Sequence, residues 1–507
     1  MNPRSWFKDL TPYFIYLLFI STLGPALFGY HIAELNAPQD VITCTKKSIS
    51  TAASLNLPQC IPMNPTEIGL VSSIFTLGGL IGALGAGPLS ASYGRLKTML
   101  GATPFFIVGA VFEALAINIP FMVVGRFISG LGAGVAVVAV PIYISEIAPP
   151  HEKGFFGAFT QVMINFGIFI TQLLGYFLSK GQYWRIILGV GGAIGVLQAI
   201  GLAVGGAESP KWMADQGMPS MAKRVLRRMR GHAADIEEEV QGWGVESGKD
   251  LDQEEQTLLT NEDHISTHSS SDSSSLAGSS SSNKGVKAVK RQTLGFFAIL
   301  RHPDTSPAVI AVVGVMVAQQ LCGINSIVMY GVSLLSDLLA ANSALLNVAV
   351  AAVNTLVTIA FAPLLDKIGR KTCLLLSITG MGINSVLLAI GIGKHIPVLS
   401  AVAVLLFVAS FGLGLGPVPF ILSSELVSPE AVGATQSWAL AANWIATFVV
   451  AQFFPMVNAK LGEGRVYYLF FAMAVLFGGF VAWWVPETKG KSDIDEIWGR
   501  KGRVRDD

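Results

Sequence analysis

An apolar run over residues 308–336 contains the stretch Gln319-Gln320-Leu321-Cys322-Gly323-Ile324-Asn325-Ser326-Ile327-Val328-Met329-Tyr330. The run is long enough for a transmembrane helix, yet this stretch carries three amide side chains. An amide without hydrogen-bond partners costs several kcal/mol in hydrocarbon, so Gln319, Gln320 and Asn325 need partners or a water-filled cavity. Gly323 lies between them and allows the helix to bend or break.

The three amides have two alternative uses. Each amide offers hydrogen-bond donors and an acceptor, which suits a neutral ligand with many hydroxyl groups. Amides also join neighbouring helices through hydrogen bonds. The stretch by itself favours neither use over the other.

The composition is that of a membrane protein. Of 507 residues, 52% are hydrophobic and 13% are charged, and the mean hydropathy is +0.57. Windows of about 20 apolar residues recur along the chain. Twelve such windows lie near 12–33, 67–87, 98–119, 121–144, 157–178, 185–205, 308–336, 344–365, 372–393, 397–424, 433–456 and 464–485. The sequence therefore predicts an all-α membrane protein with twelve transmembrane helices.

The two halves of the chain repeat each other. Gly94 and Gly369 open similar Gly-Arg turns and are 275 positions apart, and Glu146 and Glu425 close similar helices 279 positions apart. These offsets predict two six-helix pseudo-repeats, residues 1–206 and 308–486. Such repeats place a substrate site near the membrane midplane, between the halves.

A polar linker joins the halves, and a short tail follows the second. Residues 207–307 are expected to form a cytosolic linker with short helices, within which the serine-rich insert 246–292 is disordered. Residues 487–507 form the tail. Lysine and arginine in the short loops are concentrated on the side that holds both termini, which predicts that both are cytosolic.

Two further sequence features concern the loops. Cys44 and Cys60 both lie in the sizeable non-cytosolic loop, where oxidation is allowed, so we expect a disulfide there. The net charge is +1, and no basic stripe indicates nucleic-acid binding. No nucleophile–base pair and no metal-ligand spacing stands out, so we expect neither an enzyme nor a metal or cofactor site.

An ordered set of motifs resembles the sugar porter family of the major facilitator superfamily. In the first half these are Phe28-Gly29-Tyr30, Asn36-Ala37-Pro38, Gly125-Arg126, Pro141 to Pro149 and Glu208-Ser209-Pro210-Lys211-Trp212. In the second half they are Gln319-Gln320, Gly323-Ile324-Asn325, Asp366 with Gly369-Arg370-Lys371, Gly416 to Phe420, Ser424-Glu425, Asn443-Trp444 and Pro486 to Gly490. The resemblance covers nearly the whole chain outside the insert.

The resemblance implies a twelve-helix fold that binds a monosaccharide and moves it by alternating access. The implied substrate-binding residues are Gln161, Gln319, Gln320, Asn325, Asn354, Phe420, Asn443 and Trp444. Amides would take the hydroxyl groups, while an aromatic face suits the apolar side of a sugar ring.

The resemblance also implies a cytosolic gate of charged residues at the helix ends. Its members would be Arg95, Glu146, Lys153, Asp366, Arg370 and Glu425. Glu146 would pair with Arg95 or Lys153, and Glu425 with Arg370. Exposed ion pairs are worth about 0–1 kcal/mol, which suits a gate that opens. Ala91 and Val432 replace charged residues that are usual in the family, so we expect a weaker or asymmetric gate.

His31 departs from the family pattern, which has Asp in proton-coupled members and Asn in facilitative members. Imidazole has an unperturbed pKa of about 6.5 and can titrate between a cytosol and an acidic compartment. Arg126 is the implied neighbour, and Glu34 lies one turn later. His31 is therefore either a proton-coupling residue or a neutral hydrogen-bonding imidazole. Glu113 is a further intramembrane acid without an assigned role.

The linker suggests where the protein resides. Glu254, Leu258 and Leu259 fit an acidic dileucine element that a sorting adaptor could bind, and no Asn-x-Ser/Thr acceptor occurs in the large outer loop. Both features favour a vacuolar or other endomembrane location over the plasma membrane. Two alternatives to monosaccharide transport stay open at this stage: a transporter-like sugar sensor, and a carrier of another polyol such as inositol.

Overall fold

The computed structural model describes residues 11–45, 57–149, 153–231, 236–241, 298–339, 343–361, 364–428, 431–462, 464–491 and 494–499. Every regular element in these ranges is a helix. The first part contains α1 (Pro12–Ala33), α2 (Gln39–Ile42), α3 (Pro65–Tyr93), α4 (Arg95–Ala114), α5 (Ile119–Ile147), α6 (Lys153–Leu178) and α7 (Trp184–Gly205). Short helices α8 (Pro210–Asp215), α9 (Pro219–Arg230) and α10 (Glu237–Gln241) follow.

The second part begins with the short helix α11 (Ala298–Arg301). The long helices are α12 (Ser306–Leu321), α13 (Ile324–Leu339), α14 (Ser343–Phe361), α16 (Arg370–Gly393), α17 (Pro397–Leu413), α19 (Val432–Leu461) and α20 (Val466–Trp484). Between or after them lie α15 (Leu365–Ile368), α18 (Val418–Glu425) and α21 (Ile494–Ile497).

Twelve stretches within the described ranges are long and apolar enough to cross a membrane, which confirms the predicted number. Six lie before α8 and six after α11, with α12–α13 and α17–α18 each forming one span. Large apolar side chains point outward along them, including Val204 (83% exposed) and Trp483 (93% exposed). A lipid surround explains this exposure, because the hydrocarbon of the bilayer is as apolar as these side chains.

Glycine turns mark the repeat. Gly94 joins α3 to α4 with φ of 95°, and Gly369 joins α15 to α16 with φ of 106°. These left-handed conformations cost a residue with a side chain more than they cost glycine, which explains the Gly-Arg motif of both halves. At the other end of the bundle, Asn64 and Glu67 form a reciprocal capping box that starts α3.

Two spans are broken in the middle. Gly323 separates α12 from α13 with φ of 97°, and a side chain there would contact the Phe470 ring at 2.6 Å. The predicted continuous span 397–424 is also interrupted, since α17 ends at Leu413 and α18 begins at Val418. Pro417 has no backbone N–H to continue a helical ladder, and its ring is disfavoured inside a helix. Both breaks leave backbone carbonyls for other partners.

A covalent staple marks one end of the bundle, which we call the disulfide end. Cys44 and Cys60 form a disulfide with their Cα atoms 5.3 Å apart. Nearby, the Arg185 guanidinium donates hydrogen bonds to the carbonyls of Ala114, Ala116 and Pro58, each at 2.8 Å. The loop, the end of α4 with the turn after it, and the start of α7 are thereby tied together. The opposite end, which carries Arg95 and Arg370, is the ion-pair end.

The described chain groups into two units. One comprises the described residues between 17 and 206 and from 298 onward, and holds the transmembrane core. The other comprises residues 11–16, 207–231 and 236–241. In the latter, Thr11 donates a hydrogen bond to the Met229 carbonyl at 2.7 Å, and Arg230 pairs with Glu239 at 2.8 Å. The insert 246–292, with Glu254, Leu258 and Leu259, lies outside the described residues.

Candidate functional site

A cavity lies between the two halves of the transmembrane core. It is lined by helices of both halves, notably α1, α5 and α6 on one side and α12, α13, α14, α18 and α19 on the other. The eight predicted substrate-binding residues all line it: Gln161, Gln319, Gln320, Asn325, Asn354, Phe420, Asn443 and Trp444. The structure therefore brings together side chains that are up to 283 positions apart in the sequence.

Gln319 holds the amide network of the second half against the backbone. Its Nε2 donates to the carbonyl of Leu415 at 2.9 Å and to that of Gly416 at 3.2 Å. These carbonyls are available because the span is broken between α17 and α18. Gln319 Oε1 in turn accepts from Gln320 Nε2 at 3.0 Å and from Asn443 Nδ2 at 2.8 Å. The residue is saturated and organises its neighbours.

Gln320 and Asn325 continue the same network toward the cavity. Asn325 Nδ2 donates to Gln320 Oε1 at 2.5 Å, and Gln320 Nε2 also reaches Asn443 Oδ1 at 3.3 Å. Asn443 Nδ2 donates to the Met316 carbonyl at 3.0 Å. The break at Gly323 turns α13 so that Asn325 can face Gln320, five residues earlier. Amides therefore act both as helix partners and as cavity lining.

A second amide group joins the two halves. Asn165 on α6 accepts from Gln161 Nε2 at 3.0 Å and from Asn354 Nδ2, on α14, at 3.1 Å. Its own Nδ2 donates to Thr358 Oγ1 at 2.9 Å. Asn165 lines the cavity but was not among the predicted residues. Its position four residues after Gln161, on the same helix face, was the signal that could have revealed it.

Aromatic rings form the apolar wall of the cavity. Trp444 makes an edge contact with Phe28, with the ring centroids 5.3 Å apart, and another with Phe75 at 6.2 Å. The indole packs directly on Gly79 of α3, where a Cβ would lie 2.4 Å from the ring. Trp444 thus contacts the opposite half of the protein. Within the described residues its Nε1 is buried without a hydrogen-bond partner.

A separate cluster of charged residues is buried beside the cavity. His31, Glu34 and Arg126 are each 0% exposed. His31 Nδ1 lies 3.0 Å from Glu34 Oε1, and Arg126 Nη1 donates to that oxygen and to the His31 carbonyl, each at 2.6 Å. The guanidinium also stacks on the Phe75 ring at 4.5 Å. The structure therefore supplies His31 with a carboxylate partner, and Glu34 lies away from the protein surface.

Glu113 belongs to the same cluster. It is fully buried, accepts a 2.6 Å hydrogen bond from Ser129 and lies 3.9 Å from Arg126 Nη1. His31, Glu34 and Glu113 place side-chain ligand atoms within 4.8 Å of one another, so they are the group, among the described residues, that could hold a metal ion. Arg126 already supplies the cation that these carboxylates need, which makes a further dication unfavourable.

Neutral hydrogen bonds close the disulfide end between the halves. Asn36, which follows α1, donates from Nδ2 to the Val328 carbonyl at 2.9 Å. Its Oδ1 accepts from the Val332 amide at 2.9 Å. The Asn36 side chain is 1% exposed. This one residue therefore satisfies backbone groups on α13, in the other half of the protein.

Ion pairs occupy equivalent places at the opposite end. Arg95 contacts Glu146 through two hydrogen bonds of 2.7 and 2.8 Å, within the first half. Arg370 contacts Glu425 at 2.8 and 3.1 Å within the second half, and Thr488 of the tail adds a 2.6 Å bond to Glu425. The side chains of Lys153 and Asp366 lie outside the described residues, so their predicted gate roles stay predictions.

Comparisons with known proteins agree with this geometry. Two proteins of Saccharomyces cerevisiae are similar over 96% of both chains: a probable metabolite transport protein (33% identical over 500 residues) and vacuolar protein sorting-associated protein 73 (31% over 499 residues). Plastidic glucose transporter 4 of Arabidopsis thaliana is 31% identical over 94% of this chain and 78% of its own.

Solved structures show the same fold. The partially occluded, inward-open xylose transporter XylE from E. coli matches with a TM-score of 0.71 at 23% identity, over 95% of this chain and 100% of that one. The sequence model of the "Sugar (and other) transporter" family matches residues 17–498. The chain is therefore an integral membrane protein of the major facilitator fold and a transporter rather than an enzyme, and it belongs to the sugar (and other) transporter family.

Proposed function

We propose that this protein carries a monosaccharide across a membrane by alternating access. The observation that carries the proposal is the cavity between the halves, which is lined by amide side chains from both halves and by the indole ring of Trp444. Amides exchange hydrogen bonds with hydroxyl groups, and an aromatic face covers the C–H side of a sugar ring. The cavity has no described lysine or arginine in its lining, which favours a neutral solute.

The fold supports movement as well as binding. The cavity lies between two repeats that can rock against each other, and two of the lining spans are broken beside it. Breaks let one part of a span move while the other keeps its contacts. The hydrogen bonds of Asn36 at the disulfide end cross between the halves and are contacts that such a motion would break, whereas each ion pair at the opposite end lies within one half.

Uptake into vesicles tests transport directly. Purified protein in liposomes is expected to equilibrate radiolabelled D-glucose or D-xylose faster than empty liposomes do, with competition by unlabelled sugar. A panel of hexoses, pentoses, inositol and disaccharides would then rank substrates. Binding without flux would support a sugar sensor instead, and flux confined to inositol would support a polyol carrier.

A second proposal concerns coupling to protons. Glu34 and Glu113 contribute two buried carboxylates, whereas Arg126 contributes one cation. A buried charge is unfavourable unless an opposite charge compensates it. One bound proton, on His31 or on a carboxylate, makes the cluster neutral. The Phe75 ring connects the cluster to the cavity, because it contacts Arg126 and also contacts Trp444 of the cavity wall. We propose that proton binding here accompanies sugar movement.

An imposed pH gradient tests the coupling. With the outside acidic, proton entry down its gradient is expected to accumulate sugar inside above the external concentration. Glu34→Gln should lower the accumulation ratio to about one, since the remaining charges then balance without a proton. Glu67→Gln, at the exposed capping box of α3, is the matched control and should accumulate sugar normally. Accumulation that ignores the gradient in the unaltered protein would rule out coupling.

Location and orientation are proposed on sequence grounds. The lysine and arginine distribution supports cytosolic termini, which would make the ion-pair end cytosolic. The dileucine element at Glu254, Leu258 and Leu259 supports recognition by a sorting adaptor and a vacuolar or other endomembrane location, as does the name of the yeast sorting-associated relative. Microscopy of a tagged chain, with and without Leu258→Ala and Leu259→Ala, tests this: plasma-membrane residence of both would contradict it.

A further inference from the structure

We propose that Asn165 orients the amides of Gln161 and Asn354 so that each presents its oxygen to the ligand, and a substrate hydroxyl group beside them is recognised as a hydrogen-bond donor. The inference rests on the proposed sugar-binding function and adds a positioning residue to it. It depends on which side-chain atom of Asn165, Gln161 and Asn354 is oxygen and which is nitrogen. Hydrogen-bond partners of known type decide this.

The orientation of the Asn165 amide is fixed by Thr358. The Thr358 hydroxyl donates its single proton to the backbone carbonyl of Asn354 at 2.8 Å. Toward Asn165, 2.9 Å away, Thr358 Oγ1 can therefore act only as an acceptor. The atom of Asn165 that faces it must be the nitrogen. Asn165 Oδ1 consequently faces Gln161 and Asn354.

This orientation dictates the orientation of the two neighbouring amides. Gln161 and Asn354 must each present their NH₂ group to Asn165 Oδ1, at 3.0 and 3.1 Å. Their own oxygens are then left for another donor. Asn354 Oδ1 is buried and has no partner among the described residues, and Asn354 as a whole is 4% exposed. A buried acceptor of this kind favours a ligand that brings an O–H group.

The other amide group is fixed independently by backbone carbonyls. Gln319 Nε2 faces two carbonyl oxygens and must be the nitrogen, so Gln319 Oε1 accepts from Gln320 and Asn443. Asn443 Nδ2 also faces the Met316 carbonyl. The side-chain N–H groups of Gln319, Gln320 and Asn443 all donate to groups within the protein. Gln320 Oε1 accepts one bond, from Asn325, and keeps a lone pair for a ligand.

The oxygens of Gln161, Gln320 and Asn354 therefore keep acceptor capacity toward the cavity. Donor capacity remains on the second N–H of Asn325 and on the indole N–H of Trp444, which is buried without a partner in the part of the chain that the structure describes. A sugar hydroxyl can donate to these oxygens, but a fluorine atom in its place cannot. A carboxylate cannot donate to these oxygens either.

Deoxy and deoxyfluoro sugars separate donor recognition from acceptor recognition. The probes are D-glucose, D-xylose and their monodeoxy and monodeoxyfluoro analogues, measured by competition with radiolabelled parent sugar on the purified full chain. Fluorine keeps an acceptor but removes the donor. At the ring positions that face Gln161 and Asn354, the deoxy and the deoxyfluoro analogue are both expected to bind about 5- to 150-fold more weakly than the parent sugar. The two losses should be equal.

Variants test the role of Asn165 itself. In Asn165→Val, Gln161 and Asn354 can turn their NH₂ groups toward the ligand, so the deoxyfluoro analogue should bind about 2- to 12-fold more tightly than the deoxy analogue. Thr358→Val frees the Asn165 amide and should do the same. Thr355→Val is the matched control on α14, because its hydroxyl donates to the Ala351 carbonyl and lies outside the network. It should leave the two analogues equal.

The outcomes are distinct. If each deoxyfluoro sugar binds the unaltered protein as tightly as its parent, the polarity assignment is wrong, whether or not the variants fold. If Asn165→Val and Thr358→Val weaken both analogues equally, Asn165 has a packing role and the inference fails. If neither parent sugar binds or moves, the proposed monosaccharide function fails first. A simple packing defect would not change the ratio of the two analogues.

Discussion

Replacing Arg126 with glutamine is expected to destabilise the protein by about 3–5 kcal/mol, because it leaves buried carboxylates without their cation. Arg126 is in contact with Glu34 at 2.6 Å, with Glu113 at 3.9 Å and with the Phe75 ring. Glutamine replaces part of the hydrogen bonding but not the charge. The change is measured as a loss of thermal stability of the purified protein in detergent.

A compensating substitution separates charge from packing. The double variant Arg126→Gln with Glu34→Gln removes one positive and one negative charge and should recover much of the lost stability. An exposed ion pair would show little coupling between the two substitutions. Equal stability of Arg126→Gln and the unaltered protein would mean that the carboxylates are already protonated. A double variant as unstable as the single one would assign the loss to packing.

Replacing Gln320 with alanine is expected to weaken sugar binding by about 10- to 100-fold. Gln320 provides a free acceptor to the cavity and also satisfies Gln319, Asn443 and Asn325. Alanine therefore removes one ligand contact and leaves three amides to rearrange. The affinity of the folded variant for D-glucose and D-xylose is the measurement, with stability recorded in parallel.

Gln198→Ala is the matched control for Gln320→Ala. Gln198 is 2% exposed on α7 and donates to the Ser21 carbonyl at 3.5 Å, but it does not line the cavity. It should lower stability without changing affinity. If a folded Gln320→Ala binds sugar as the unaltered protein does, the role assigned to Gln320 is wrong. Equal losses of affinity in both variants would indicate a general packing effect.

The sequence alone predicts the helices well and the cavity lining in large part. Twenty-residue apolar windows leave few alternatives in a bilayer, and a glycine beside two glutamines marks the break at Gly323. The same reasoning overlooks the break after Leu413, because Gly414 and Pro417 lie inside an apolar run that reads as continuous. Helix continuity there depends on local backbone geometry, which hydropathy does not report.

Pairings between distant side chains are the part that sequence reasoning does not reach. Glu113 is an unexplained acid in the sequence, and its proximity to Arg126 follows from the packing of α4 against α5. Asn165 is overlooked for a similar reason: an asparagine in an apolar helix is informative once its partners on α14 are known. Such contacts depend on the rotation of each helix about its axis, which hydropathy does not fix when all faces of the helix are apolar.

The seal made by Asn36 has a consequence for the balance between conformational states. It consists of neutral hydrogen bonds, and each contributes about 0.5–1.5 kcal/mol net. Two such bonds, to Val328 and Val332, thus bias the halves toward closure at the disulfide end by an amount comparable to a few times the thermal energy. A ligand that binds the alternative state more tightly by that amount offsets the contribution of Asn36 to closure.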